Sequence, residues 1–287
     1  MKRTLVLTLA SAVVAPALMA VTTMAPAGHA AVSPLGLPLI RDHGQGTSGA
    51  GLPIISINWS GYAVTSSSKF TYVYSRFVQP AITCSGAKDL VTSNWVGLDG
   101  FANQTVEQDG TQGMCAGSDH KTAKYVAWYE MYPKNSVNVF PIKAGDTITT
   151  AVSYASGMFS LTVSDVTSHK SHTKVAACSQ CQRASAEWII ERPAACTNPA
   201  CTKASILALP DFGTSTMSDD VASDGGADTG ISGFVNYAIE GDYNLNDTEQ
   251  IGPEGFVSVD TVGPLAKKTN SFTATWDRSG QPCPIKL

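Results

Sequence analysis

Two short segments of this chain concentrate groups able to move protons. One is Thr105-Val106-Glu107-Gln108-Asp109-Gly110, the other Ala186-Glu187-Trp188-Ile189-Ile190-Glu191. Each embeds polar side chains in a stretch otherwise suited to a buried strand. A buried glutamine amide or glutamate costs free energy unless partners are supplied, so such positions point to a purpose. A glutamate near its ordinary pKa of ~4.3 can shuttle protons in mildly acidic solution, where histidine is already charged. A glutamine amide can donate N–H groups to a developing oxyanion and help hold a water through its carbonyl. Gln108 and one of the two glutamates of the second segment, Glu187 or Glu191, are therefore a candidate pair for hydrolysis by an activated water.

The more familiar nucleophile arrangements are missing. There is no G-x-S-x-G, no H-E-x-x-H and no phosphate-binding glycine loop. The five histidines are scattered: His29 in the signal-like segment, His43 in the tether, His120 beside Lys121, and His169 and His172 in a polar turn. Asp228-Thr229-Gly230 has the letters of an aspartic protease motif, but Ser223-Asp224-Gly225-Gly226-Ala227 precedes it where an apolar strand is needed. That context predicts a turn. Asp211-Phe212-Gly213 lacks every other kinase feature. Acid–base work is left to carboxylates and amides.

Other segments could position such a pair. Trp95-Val96-Gly97-Leu98-Asp99-Gly100 reads as a buried strand ending in a tight turn. In Ala127-Trp128-Tyr129-Glu130-Met131-Tyr132-Pro133, strand parity puts Trp128, Glu130 and Tyr132 on one face. Parity likewise groups Glu187, Ile189 and Glu191 opposite Trp188 and Ile190. Spacing alone leaves open whether these faces are buried or wet. Period-2 alternation recurs at Phe70 to Ser75, Tyr125 to Tyr132, Ile148 to Tyr154, Phe159 to Val163, Gly255 to Val259 and Phe272 to Trp276. Gly, Pro, Asn and Asp clusters separate the runs, and no long amphipathic helix is evident. The predicted fold is all-β: an antiparallel sandwich of two curved, packed sheets with little helix.

Composition narrows the function classes. Met1-Lys2-Arg3, an apolar run from Leu5 to about Met19, and small residues at Gly28 and Ala30 describe a secretory signal peptide over 1–30. Residues 31–55, rich in Pro, Gly and Ser, read as a flexible tether or short pro-segment. Residues 56–287 form one domain, and roughly 255 residues after cleavage suffice for a proper core. Loss of Lys2 and Arg3 lowers the basic count from 19 to 17 against 23 acids, a charge near −6. No basic stripe exists to engage nucleic acid, and no apolar run approaches the ~18 residues of a membrane span. A secreted, soluble monomer is the expectation. Charged residues are only 15% of the chain, against ~25% in typical globular proteins. Ser, Thr and Gly replace them, which suits strands and turns. The seven cysteines read as disulfides with one left over; Cys196–Cys201, closing a small loop, is the favoured pair, Cys84–Cys115 is a plausible one, and the spacing leaves the other connections open. Zinc is disfavoured, because the spacing of Cys178, Cys181, Cys196 and Cys201 is too loose for knuckles and export is oxidising.

Six segments together carry a family resemblance. Asn58-Trp59-Ser60-Gly61-Tyr62, Trp95 to Gly100, Gln108-Asp109-Gly110, Trp128 to Pro133, Ala144-Gly145-Asp146 and Glu187 to Glu191 occur in the order seen in glutamic peptidases. From about residue 56 to 215 the chain resembles the eqolisin (G1) family, and more weakly to the C-terminus. The resemblance implies a secreted acid endopeptidase acting on proteins or peptides, with a Gln–Glu dyad on the concave face of the sandwich. It implies Gln108 and Glu191 as the dyad and places Trp95, Asp99, Trp128, Glu130 and Tyr132 along the cleft. It calls for no metal or organic cofactor, and relatives suggest acid removal of residues 31–55. Glu107 and Asp109 flank Gln108 where apolar or neutral residues are common in fungal members, and Gln112 stands where aspartate is frequent. Two alternatives stay open: a carbohydrate-binding sandwich stacking sugars on Trp128 and Tyr132, and a glycosidase using Glu130 and Glu191.

Overall fold

Alternation along the chain is realised as strands almost throughout. The computed structural model describes residues 35–41, 53–198, 200–242, 258–266, 268 and 270–286. The expected signal peptide, and residues 31–34 and 42–52 of the expected tether, lie outside the described residues. The first strands are β1 (Ile54–Ser56), β2 (Trp59–Thr65), β3 (Tyr72–Val78), β4 (Val91–Leu98), β5 (Val106–Ala116) and β6 (Thr122–Tyr132). There follow β7 (Val137–Ile142), β8 (Thr147–Ala155), β9 (Met158–Asp165), β10 (Lys170–Ala176) and β11 (Ser185–Glu191). The C-terminal third supplies β12 (Ala194–Cys196), β13 (Lys203–Ile206), β14 (Thr214–Ser223), β15 (Thr229–Gly230) and β16 (Val235–Asp242). It ends with β17 (Ser258–Val262), β18 (Phe272–Trp276) and β19 (Cys283–Lys286). A 3-10 turn at Ile231–Gly233 is the one helical element among the described residues.

Most strands belong to one sheet, ordered β10-β9-β8-β3-β14-β18-β17-β16-β2-β11-β4-β5-β6-β7. Its neighbours pair antiparallel; short β1 adds to β16 in parallel. The path curls back, so that β3, β8, β9 and β14 pack on β4, β5, β6 and β11 as a second layer. The all-β antiparallel sandwich is thus the observed architecture. Between the layers lie Val73, Phe77, Ile148, Val152 and Leu161 on one side and Val96, Leu98, Ala127, Trp188 and Ile190 on the other. Burying each large apolar side chain contributes ~1.5–3 kcal/mol, an upper bound for a compact unfolded chain.

Because strand side chains alternate, the residues between these core positions point to the opposite face. Trp59, Ala63, Trp95, Val106, Trp128 and Ile189 form a second apolar cluster there. A small sheet, β12-β13-β19, adds a third with Leu35, Leu37 and Ile57. Cys196–Cys201 is bonded as its short loop predicted, and Cys84–Cys115 is bonded too. Cys178–Cys181 is the third pair, and Cys283 is free and buried.

Candidate active site

Register brings the chemistry together. On β11, the register pairs Glu191 with Trp59 of β2 and with Ser93 of β4. On β5, Gln108 lies between Gly97 of β4 and Glu130 of β6. All of these side chains leave the face opposite the main core. Gly110 makes the arrangement possible: a Cβ there would fall 2.1 Å from the Asn94 carbonyl oxygen and 2.6 Å from Cβ of Trp95. Its absence lets β4 and β5 approach where the Trp95 side chain departs.

Glu191 is fully buried. Its Oε2 accepts the Trp95 indole N–H at 2.8 Å, and its Oε1 accepts the Leu37 backbone N–H at 3.1 Å. Burial pushes its pKa up to about 8, against the pull of Leu37, Trp95, Trp59 and Asn58. Gln108, also buried, donates Nε2–H to Oε2 of Glu130 at 3.0 Å and to the Gly36 carbonyl at 3.2 Å. Its Oε1 is buried without a protein partner. Glu130 accepts the Gly36 N–H at 2.9 Å. Burial, and then the Glu191 charge, hold Glu130 well above the carboxylate range, so it is neutral in acid.

The segment Leu35–Arg41 thus runs through the site. Its Leu37 carbonyl accepts the Trp59 indole N–H at 2.8 Å, and Asn58 Nδ2 donates to the carbonyls of Leu37 and Pro38. Asn58 and Trp59 carry the site although sequence reasoning gave them no role there. The clue was available, since they open the first of the six ordered segments.

Of the residues expected along the cleft, Trp95 bonds Glu191 and Glu130 bonds Gln108. Trp128 packs in the apolar cluster with Trp59 and Trp95, its indole nitrogen unpartnered. Tyr132 is half-buried and lines a cavity of about 500 Å³ together with Leu37–Arg41 and Phe101. Asp99 differs from the expectation. It is fully buried, and its carboxylate accepts the backbone N–H groups of Gln182, Arg183 and Ala184 at 2.7–2.8 Å and Asn103 Nδ2 at 2.7 Å. Those four donors tie it to the entry of β11.

Glu107 and Asp109, the polar neighbours of Gln108, point into the opposite face. Burial raises Glu107 to about 10 and holds Asp109 high as well, Asp109 accepting the Thr150 hydroxyl. Glu187 is also buried, and burial holds its carboxyl well above the usual carboxylate range. Asp228 is exposed beside a turn. Glu107 with Cys178 and Cys181 brings three ligand-type side chains close, but the two sulfurs are bonded to each other.

Comparison with known proteins bears on this geometry. Residues 57–260 match the model of the Peptidase A4 family. Aspergillopepsin-2 from Aspergillus niger is 28% identical over 214 residues, 65% of this chain and 71% of the relative. The crystal structure of scytalido-glutamic peptidase with a transition state analog inhibitor superposes with a TM-score of 0.62 at 21% identity, covering 77% of this chain and 98% of that one. SCP-B, a member of the eqolisin family of peptidases in complex with the tripeptide Ala-Ile-His, gives 0.56 at 21% identity over the same shares. The chain belongs to the Peptidase A4 family: it is a glutamic peptidase of the eqolisin type, a hydrolase of peptide bonds.

Proposed function

We propose that the protein is a secreted, acid-acting endopeptidase in which Glu191 and Gln108 carry the reaction. One observation supports this most. The two side chains grip opposite ends of a single peptide bond, Gln108 Nε2 at the Gly36 carbonyl and Glu191 at the Leu37 N–H. A donor aimed at a carbonyl oxygen is what a developing oxyanion needs. A carboxyl at the amide nitrogen is what a leaving amine needs.

Hydrolysis then follows from the residue types. Ionised Glu191 takes a proton from a water as it attacks the scissile carbonyl carbon, and the C–N bond breaks as Glu191 returns that proton to nitrogen. Gln108 stabilises the oxyanion. Neutral Glu130 fixes the Gln108 amide. The elevated Glu191 pKa belongs to a cleft filled by residues 35–41; a cleft holding water removes part of the desolvation and returns the carboxyl toward ionisation in mild acid. These steps call on no metal or organic cofactor. A lectin has no use for the Gln108 amide, and a glycosidase pair would leave Glu130 open instead of tied to it.

The test is Glu191→Gln, which keeps shape and removes the base. Haemoglobin digestion at pH 3–5 is expected to fall ~10²–10⁴-fold; a comparable rate in the variant rejects the assignment. The signal-like start motivates secretion, and the charge near −6 fits a monomer acting on soluble protein or peptide substrates without nucleic acid or membrane partners. Recovery of a shortened N-terminus from culture medium checks the export step.

A further inference from the structure

The dyad leaves one buried carboxyl and one disulfide without a task. Glu107 stands on β5 between Leu98 of β4 and Met131 of β6, so its cross-strand neighbours are apolar. It is fully buried, and neither carboxyl oxygen has a hydrogen-bond partner in the protein. A buried acid without partners costs free energy, and its presence calls for a reason. One of its oxygens lies within 4.8 Å of the sulfurs of both Cys178 and Cys181. A single bridging water spans that distance, which is within reach for proton transfer.

The disulfide is built more for exchange than for stapling. Cys178-Ser179-Gln180-Cys181 has the C-x-x-C spacing of dithiol–disulfide couples. Closing so small a loop removes little freedom from the unfolded chain, whereas Cys84–Cys115, 31 residues apart, removes far more. The Cys181 backbone N–H donates to Cys178 Sγ at 3.2 Å, a bond that favours a thiolate there once the disulfide opens. The pair is also reachable. Cys178, Ser179 and Gln180 line a cavity of about 240 Å³ together with Thr105, Tyr132 and Lys134. A small thiol fits that space, and the Lys134 ammonium favours its anionic form.

We infer that Cys178, Cys181 and Glu107 form a thiol–disulfide exchange site whose substrates are small dithiols, with Glu107 as proton donor to the departing sulfur. A thiolate of the dithiol attacks Cys178 Sγ. The Cys178–Cys181 bond breaks, its electron pair goes to Cys181 Sγ, and that sulfur takes the Glu107 proton through a water. The second thiol of the reductant gives its proton to the Glu107 carboxylate and attacks the mixed disulfide. The reductant leaves as a cyclic disulfide, and Cys178 takes from solvent the proton that the first thiol had lost. Two electrons thus pass from the dithiol to the cysteine pair, and Glu107 ends protonated as it began. Burial, and then the nearby Asp99 charge, raise the Glu107 pKa to about 10, so it holds a proton to give at neutral pH. None of these steps uses Gln108 or Glu191.

Dithiothreitol added to the full chain at neutral pH, followed by alkylation and mass spectrometry of the labelled peptides, reads each bond separately. Cys178–Cys181 is expected to open ~10-fold faster than Cys196–Cys201, whose loop is nearly as small but which no carboxyl approaches in this way among the described residues. In the parent that rate is expected to stay constant as imidazole buffer is raised at fixed pH, because the acid is already in place. Glu107→Gln keeps shape and removes the donor. It is expected to slow this bond ~10-fold, leave Cys84–Cys115 and Cys196–Cys201 unchanged, and make the opening rise with imidazolium concentration. Opening of Cys178–Cys181 no faster than Cys196–Cys201 overturns the inference. So does parent opening that rises with imidazolium, a result that needs no variant to fold. An unchanged rate in Glu107→Gln, or a slowed rate that ignores imidazolium, removes Glu107 as the donor and overturns it too.

Discussion

Glu191 faces an energetic conflict that its neighbours resolve only in part. Removal from water favours the neutral acid, while the Trp95 indole N–H and the Leu37 amide favour the carboxylate. A hydrogen bond to a charged group is worth ~1.5–3 kcal/mol, or about one to two pH units. Trp95→Phe deletes one such donor at nearly constant shape. The acid limb of kcat/KM against pH is therefore expected to move up by ~1 unit, since more base is needed to ionise Glu191; an unmoved limb denies Trp95 that role. Gln108→Ala is expected to lower kcat ~10²–10³-fold through loss of the oxyanion donor, read from steady-state rates. The same scale shows what residue type alone could not convey. Asp99 in a Trp-x-Gly-x-Asp-Gly run looks like a cleft carboxylate, but its positive φ of 71° turns the chain so that backbone amides surround it. Nothing in the letters distinguishes an aspartate that meets substrate from one that caps a loop.

At the scale of elements, β11 ends on the proposed dyad glutamate, and the residue just beyond the strand anchors that end. Arg192, next in sequence, is buried; its guanidinium donates to the carbonyls of Leu207, Asp242 and Gln281, and its backbone N–H to Asn58. Arg192→Ala strands several buried carbonyls and is expected to cost ~2–4 kcal/mol by chemical denaturation. A smaller loss would mean that water replaces the guanidinium. The strands themselves were legible, because period-2 alternation follows directly from pleating: Phe272–Trp276 buries one face, and Tyr125–Tyr132 alternates main-core residues with those of the opposite buried face. Parity correctly grouped Glu187, Ile189 and Glu191, and β11 proved central, flanked by β2 and β4. The segment Leu35–Arg41 was not legible in the same way. Its two buried leucines flank a glycine amid prolines, a composition that reads as linker; only the cleft waiting for it gives those leucines a partner.

Over the whole molecule, burial of neutral acids is the recurring feature. Glu107, Asp109, Glu130, Glu187, Glu191, Asp220 and Asp260 all have pKa values raised, chiefly by desolvation. Below about pH 4 both folded and unfolded chains hold these protons. As pH rises, the unfolded chain releases them first, while the folded chain keeps them to about 7 at Asp260, 8 at Glu191 and 10 at Glu107. The folded state then binds more protons, so stability must fall as pH rises across that window. Tm is expected to be higher at pH 4 than at pH 8 by ~5 °C or more, measured by calorimetry. An opposite slope would show that these acids are ionised in the fold. The acid action proposed for the peptidase and the acid preference expected of its scaffold would then share one cause: carboxyls placed where water does not reach. The central claim is that Gln108 and Glu191 act as one unit, and kcat/KM of the double variant Gln108→Ala/Glu191→Gln tests it most directly. Groups acting together give losses far from additive. The double variant is expected to be no slower than Glu191→Gln alone; losses that multiply, or activity close to the parent, would contradict the dyad.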